Sequence, residues 1–152
     1  MSFPPFKIRP AHRSDHDALA RLFLETRRAT FHWRDPQVFQ LADFAPQTEG
    51  EAIHVAESAD GELLGFISVW LPDRFIHHLF VSPAHQNRGL GRALIASLHA
   101  WLPGPWQLKC TDKNTRALAF YESLGWREVG RGVSDDNHEG YSLLEYTPLP
   151  PV

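Results

Sequence analysis

The chain has 152 residues and a mass of 17.3 kDa. That suits one domain at about 100–200 residues each and is enough to bury a core without disulfides or metals. Apolar residues make up 43% and charged residues 22%, which excludes a largely disordered chain. Fifteen Lys and Arg against 18 Asp and Glu give a net charge of −3. This argues against a broad nucleic-acid surface but leaves room for a local anion site.

The first expected strand is Phe6 to Arg9. Ser14 reads as the N-cap of a helix, with Asp17 three positions on and Leu19, Leu22, Phe23 and Thr26 at helical spacing to about Arg28. Asp35-Pro36 reads as a second start, for a short helix ending near Pro46. Strand periodicity follows: 52–58, a turn at Ala59-Asp60-Gly61, a hairpin partner over 62–71, and a fourth strand over 75–81. Gly89 to Trp101 reads as a helix with Leu90, Leu94, Leu98 and Trp101 on one face. A fifth strand at 106–110, a helix over 114–124 closed by Gly125, and strands at 126–131 and 140–147 complete the order. The expected fold is α/β, an α+β type of mixed sheet with helices on both faces, in the order β-α-α-β-β-β-α-β-α-β-β, as one domain over residues 1–152.

The apolar run at 63–71 carries Gly65 and Ser68 and falls short of a span of about 20 residues, so no membrane role is expected. Prolines interrupt residues 1–10, where a signal peptide has its apolar block. With one cysteine, Cys110, no internal disulfide or multi-thiolate metal site is possible. A cytoplasmic protein, monomer or homodimer, is expected.

The segment Gln86-Asn87-Arg88-Gly89-Leu90-Gly91-Arg92 joins a strand to a helix. Free N–H groups and the dipole at a helix start attract anions. Gly89 and Gly91 clear side chains from such a ligand, and Arg88 and Arg92 add charge, so a pyrophosphate is the natural occupant. The segment lacks the Lys-Ser/Thr ending of a P-loop, and Leu94 stands where the dinucleotide fingerprint needs a third small residue. The next block, Asn114 to Trp126, contains Asn…Ala…Phe-Tyr-Glu…Gly-Trp.

Together with the strand ending at Val81 and Pro83, these two blocks resemble the Gcn5-related N-acetyltransferase family. The resemblance implies a direct transfer of acetyl from acetyl-CoA to an amine, small-molecule or peptide, with no metal. It implies that the fourth strand splays from the fifth and that backbone groups around Phe80 and Val81 bond the pantetheine arm. Gln86, Asn87, Arg88, Gly89, Leu90, Gly91 and Arg92 would hold the pyrophosphate, with Asn114, Phe120 and Tyr121 beside the cofactor arm. Tyr121 matches the tyrosine that protonates the leaving sulfur.

An alkylammonium with a pKa near 10.4 is neutral in about one molecule in 2,500 at pH 7, so a base is needed. The fourth strand offers His77-His78 and no carboxylate. Side chains alternate along a strand, so only one histidine can face the acceptor. His77, sharing a face with Leu79 and Val81, is the expected base, with His78 under or beside a helix. The same alternation argues against one metal ion on both histidines. Glu57 is a weaker base candidate. His32, Trp33 and His78 are candidate acceptor contacts, and Asp135 and Asp136 could attract a cationic amine. Cys110 reads as packing rather than as a nucleophile. A non-catalytic acyl-CoA-binding module of the same fold is the alternative function.

Overall fold

Leu63–Trp70 is apolar at nearly every position because both of its faces are covered. Phe66 packs on one side with Phe23, Leu19 and Phe44. Ile67 and Val69 pack on the other with Leu90, Leu94 and Leu98. This strand, β3, is an interior strand of the seven-stranded sheet formed by the described residues. Its companions are β1 (Phe6–Pro10), β2 (Ala52–Ser58), β4 (Phe75–Val81), β5 (Trp106–Thr111), β6 (Arg127–Val133) and β7 (Gly140–Tyr146). The helices are α1 (His16–Thr30), α2 (Phe44–Thr48), α3 (Leu90–Ser97) and α4 (Thr115–Ser123). The computed structural model describes residues 5–148, so residues 1–4 and 149–152 of the expected 1–152 domain, including the first four of the proline-broken N-terminal segment, lie outside the described residues.

The sheet order is β1-β2-β3-β4-β5-β7-β6. Neighbours are antiparallel except β4 and β5, which are parallel. A parallel pair needs a crossover, and α3 supplies it. Helices α1 and α2 cover one face, and α3 and α4 pack against the larger core on the other. The mixed sheet and element order agree with the sequence expectation. Among the described residues no helix is long and apolar enough to cross a membrane.

Two local expectations are corrected. Asp15, not Ser14, precedes α1; its carboxylate accepts from the His12 N–H at 2.7 Å and pairs with Arg9 at 2.8 Å, closing a 3₁₀ turn first. The second helix does not run from Asp35 to Pro46. Asp35 does cap a turn by accepting from Gln37 N at 2.9 Å. The Arg28 guanidinium, however, takes the carbonyls of Pro36 and Phe39, each at 3.0 Å. Those carbonyls would carry a continuous α-helix, so the segment forms two 3₁₀ turns and then the five-residue α2.

Candidate active site

The β4–β5 pairing consists of Phe75 opposite Gln107 and Ile76 opposite Leu108, and stops there. Beyond Ile76 the β4 edge that faces β5 has no strand partner among the described residues, and the two strands diverge as expected. On its other edge β4 stays paired to β3, but the register slips: Ser68 opposes His78 and Val69 opposes Ile76. His77 is the extra residue of a β-bulge. The bulge and the splay therefore begin at the same point of the strand. Bulges re-aim side chains and are frequent beside active sites.

The bulge overturns the simple alternation of faces. Ile76, Leu79 and Val81 lie on the α3 side, whereas His78 and Phe80 lie on the α1 side. His77 and His78 are not on opposite faces: their rings stack at 4.0 Å between centroids, 29° from parallel. His78 is nine-tenths buried beneath α1, edge-on to Phe23 at 4.8 Å. Burial and the neighbouring His77 push its pKa down to about 3, so the ring is neutral at physiological pH. His77 is more exposed than His78 and has a partner that the sequence did not reveal. Its Nδ1 lies 2.8 Å from Glu51 Oε2.

Glu51 reaches this place through the turn after α2. Gly50 adopts φ +78°, and the Glu51 N–H donates to the Thr48 carbonyl at 3.0 Å. The Glu51 carboxylate is 6% exposed, and its Oε1 has no hydrogen-bond partner. A carboxylate can only accept, so the proton in the pair sits on His77 Nδ1 and a neutral ring keeps its lone pair on Nε2. Glu57, the other carboxylate considered, lies on β2, two strands from β4, and is tied to Arg9 of β1.

The loop before α3 has the expected shape. Gly89 adopts φ +80° at the helix N-cap, and a Cβ there would meet nothing within 4 Å. That leaves an open cradle in front of the first free N–H groups of α3, which fits a phosphate ligand. Gly91 serves differently: a Cβ on it would lie 3.3 Å from the Phe120 ring, so it permits the approach of α3 to α4. Gln86 Nε2 donates to the Val81 carbonyl at 3.2 Å, joining the loop to β4. Asn87, at φ +64°, accepts from Arg116 at 2.9 Å. Arg92 is exposed and Arg88 half-buried, while the Leu90 side chain belongs to the core, which leaves its backbone N–H for a ligand.

On α4, Asn114 is the N-cap: its Oδ1 accepts from Ala117 N at 3.1 Å. Tyr121 is buried between Phe120 and Trp126, at 5.3 and 5.6 Å between ring centroids. Burial, with a contribution from Cys110, raises its pKa, so the phenol stays protonated. Cys110 is itself buried, and burial with Asp112 pushes its thiol up to about 12. Almost none of it is thiolate at neutral pH, which agrees with a packing role.

The 31–34 segment and the 134–139 loop meet through Glu139, a residue the sequence did not single out. Glu139 accepts from Trp33 Nε1, pairs with Arg34, and lies 3.7 Å from Lys113. A concavity of ≈ 430 Å³ opens beside it, lined by Arg34, Lys109, Asp135, Asp136 and Tyr141 among others. Trp33 spends its N–H on Glu139, and His32 is exposed against it; neither lines this concavity.

Residues 16–126 match the model of the Acetyltransferase (GNAT) family. The chain belongs to this family. The acetyltransferase is 30% identical over 85% of its length to the peptidyl-lysine N-acetyltransferase YiaC of Escherichia coli, 88% of which is covered. It is 33% identical to the aminoglycoside N(6')-acetyltransferase type 1 of Stenotrophomonas maltophilia, over 83% and 89% of the two chains. The crystal structure of a GCN5-related N-acetyltransferase from Rhodopseudomonas palustris superposes with a TM-score of 0.79 at 20% identity, over 97% and 98% of the chains. The acetyltransferase is thus an acyl-CoA-dependent enzyme that transfers acetyl to an amine, and the non-catalytic alternative is set aside.

Proposed function

We propose that the enzyme acetylates a primary alkyl amine of the lysine type on a peptide, by direct attack on the thioester of acetyl-CoA, with His77 as base and Tyr121 as acid. The observation that carries this reading is the coincidence of the bulge and the splay. Both begin at Ile76–His77, so the histidine held by Glu51 stands where the gap between β4 and β5 opens.

The donor supplies an acetyl group already activated as a thioester. The unpaired edge of β4 near Phe80 and Val81 offers main-chain groups to the pantetheine arm, and the N–H groups at the start of α3 offer positive potential to the pyrophosphate. Arg88 and Arg92 add charge to that end. Asn114 uses its Oδ1 as the helix cap, so its amide N–H₂ is the group available to the cofactor arm. Phe120 packs between Gly91 and Tyr121 and holds the loop and the acid in fixed relation.

The acceptor arrives as an ammonium ion. His77 Nε2 takes its proton, and Glu51 steadies the imidazolium that forms, through Nδ1. The neutral amine attacks the thioester carbon, the C–N bond forms and the C–S bond breaks. Tyr121 delivers its proton to the departing sulfur. His78 lies buried against His77 and backs the base; His32 and Trp33 are the proposed acceptor contacts from the 31–34 segment. Asp135 and Asp136 beside the concavity favour a cation, and one of the most similar relatives acts on peptidyl-lysine. An aminoglycoside is also cationic, so the test must include both.

The experiment is thiol release from acetyl-CoA with a panel of lysine peptides, peptide N-termini, amino acids, polyamines and aminoglycosides. The expected result is the highest kcat/KM on a lysine peptide, with loss on Nε-methylation of that lysine. Turnover confined to aminoglycosides or polyamines would overturn the acceptor class.

A further inference from the structure

The group Glu51, His77 and His78 has a second property that acid–base chemistry does not use. One ligand atom from each residue lies within 4.8 Å of the others. The Glu51 side chain is 6% exposed and His78 9%, and each has an orphaned polar atom among the described residues: Glu51 Oε1 and His78 Nε2. A buried polar atom without a partner is destabilising, and a ligand that satisfies it recovers that loss. Ser68, opposite His78 across the β3–β4 ladder, also has an unpartnered Oγ, so the recess is polar although its walls are Phe23, Phe66 and Phe80.

We infer that Glu51, His77 and His78 form a binding site for a divalent transition-metal ion of the Zn²⁺ type, and that the ion, when bound, withdraws the base. Two imidazoles and a carboxylate suit Zn²⁺ or Co²⁺ rather than Mg²⁺ or Ca²⁺, which prefer all-oxygen shells. Ligand atoms about 2.0–2.2 Å from zinc sit about 3.3–3.5 Å apart, so the group must tighten by roughly 1 Å. His77, with 42% of its side chain exposed, has the freedom to do so. The ion takes the place of the proton shared by His77 and Glu51. It satisfies a carboxylate that is held between a turn and a strand. A neutral imidazole that gives one lone pair to a metal carries its proton on the other nitrogen. It then has nothing left to accept a proton from an amine. The bulge makes this possible, because on a regular strand the adjacent histidines would point to opposite faces.

The inhibitory half of this inference rests on His77 being the base; the site itself does not. The test is therefore made first without turnover. Tag-free protein is titrated with Co²⁺ alone and followed by its visible d–d absorption. The expected result is one equivalent bound tightly, with binding weakened about 10-fold or more in His77→Gln and in His78→Phe. The first variant changes an exposed residue, and the second keeps an aromatic ring among the phenylalanines; a thermal melt confirms that each is folded. No saturable Co²⁺ binding, or equal binding by both folded variants, would overturn the site. Zn²⁺ is then added to the acetyl-transfer assay. Inhibition reversed by a chelator, and weaker in His78→Phe relative to that variant's own metal-free rate, is the expected outcome. Zn²⁺ bound at one equivalent with no inhibition would overturn the block while leaving the site. Failure of every amine in the panel would count against the proposed function and leave the Co²⁺ result unaffected.

Discussion

His77 Nδ1 and Glu51 Oε2 lie 2.8 Å apart, although 26 residues separate them in the chain. The contact joins the bulge of β4 to the turn after α2, and the carboxylate side is nearly sealed from water. A buried acceptor of this kind fixes the ring plane and selects the tautomer with the lone pair on Nε2. Glu51→Gln keeps the shape and removes the charge that steadies an imidazolium. A hydrogen bond to a charged group is worth about 1.5–3 kcal/mol, so kcat should fall about 10- to 100-fold. The KM for acetyl-CoA should stay within about two-fold, since Glu51 belongs to the turn after α2 and not to the loop before α3 that is proposed to hold the pyrophosphate. Steady-state kinetics against pH check this. An unchanged kcat and pH profile would remove Glu51 from its positioning role.

Tyr121→Phe removes a hydroxyl whose ring is already packed between Phe120 and Trp126. Burial holds the phenol protonated, which is the form an acid needs before the thiolate leaves. The expected loss is about 100-fold in kcat, in the usual range for one general acid. Binding of CoA, measured by calorimetry, should change little. A variant with wild-type turnover and chemistry as the slow step would take the acid role from Tyr121.

Cys110 provides a check on direct transfer. Its thiol is pushed up to about 12 by burial and Asp112, so the native protein should resist alkylation at pH 7.5 and react only once unfolded. Cys110→Ala should keep most of its acetyl-transfer rate. Trapping of an acetyl-thioester on the wild-type chain by mass spectrometry would contradict both the direct route and the packing role.

Some of this site was legible in the sequence because its signals are local. Gly89 with its flanking arginines, the helix start at Asn114, and the strand before Pro83 each depend on a few consecutive residues, and the structure places each close to the element boundary expected, with Asn114 as the cap of α4 rather than its first residue. The His77–Glu51 pair was not legible. It depends on a one-residue slip between Ser68/Val69 and Ile76/His78, and strand periodicity carries no record of such a slip. The alternation rule then assigned the two histidines to opposite faces. Glu139 was missed for a related reason: its partners Trp33 and Arg34 are 106 and 105 residues away. In the second helix the cap at Asp35 was readable, but the carbonyls taken by Arg28 were not.

Arg9 draws Asp15 and Glu57 together across β1, β2 and the start of α1. The Asp15 carboxyl, paired with that guanidinium and accepting from His12 N–H, is held down at about 2, below its ordinary 3.8. A carboxylate with a lowered native pKa adds stability that is complete above the unfolded value and lost as pH falls through the native one. Urea melts should show this contribution declining between about pH 4 and pH 2. Asp15→Asn should be less stable than the wild type at pH 6, with the gap narrowing towards pH 2. A constant gap across that window would mean that the Arg9 pairing does not reach the folding equilibrium.

Gly89 allows the backbone demand of the loop before α3 to be tested apart from the charge of the phosphate proposed to bind there. At φ +80° any other residue is strained by about 1–2 kcal/mol, yet a Cβ there meets no atom within 4 Å. Gly89→Ala should therefore lower stability by about 1 kcal/mol through strain alone, and CoA affinity should change by only a few-fold. Gly89→Asp, which tolerates this backbone no worse than alanine, adds a negative charge at the mouth of α3, where the helix dipole and Arg92 otherwise favour an anion. Its CoA affinity should drop about 10-fold or more below that of Gly89→Ala, each 10-fold corresponding to about 1.4 kcal/mol. The added loss should shrink at high ionic strength, because exposed charges are screened. Desulfo-pantetheine fragments lacking the pyrophosphate should bind both variants alike. Equal CoA affinity for Gly89→Ala and Gly89→Asp would place the pyrophosphate elsewhere, since a charge in its path could not then go unnoticed.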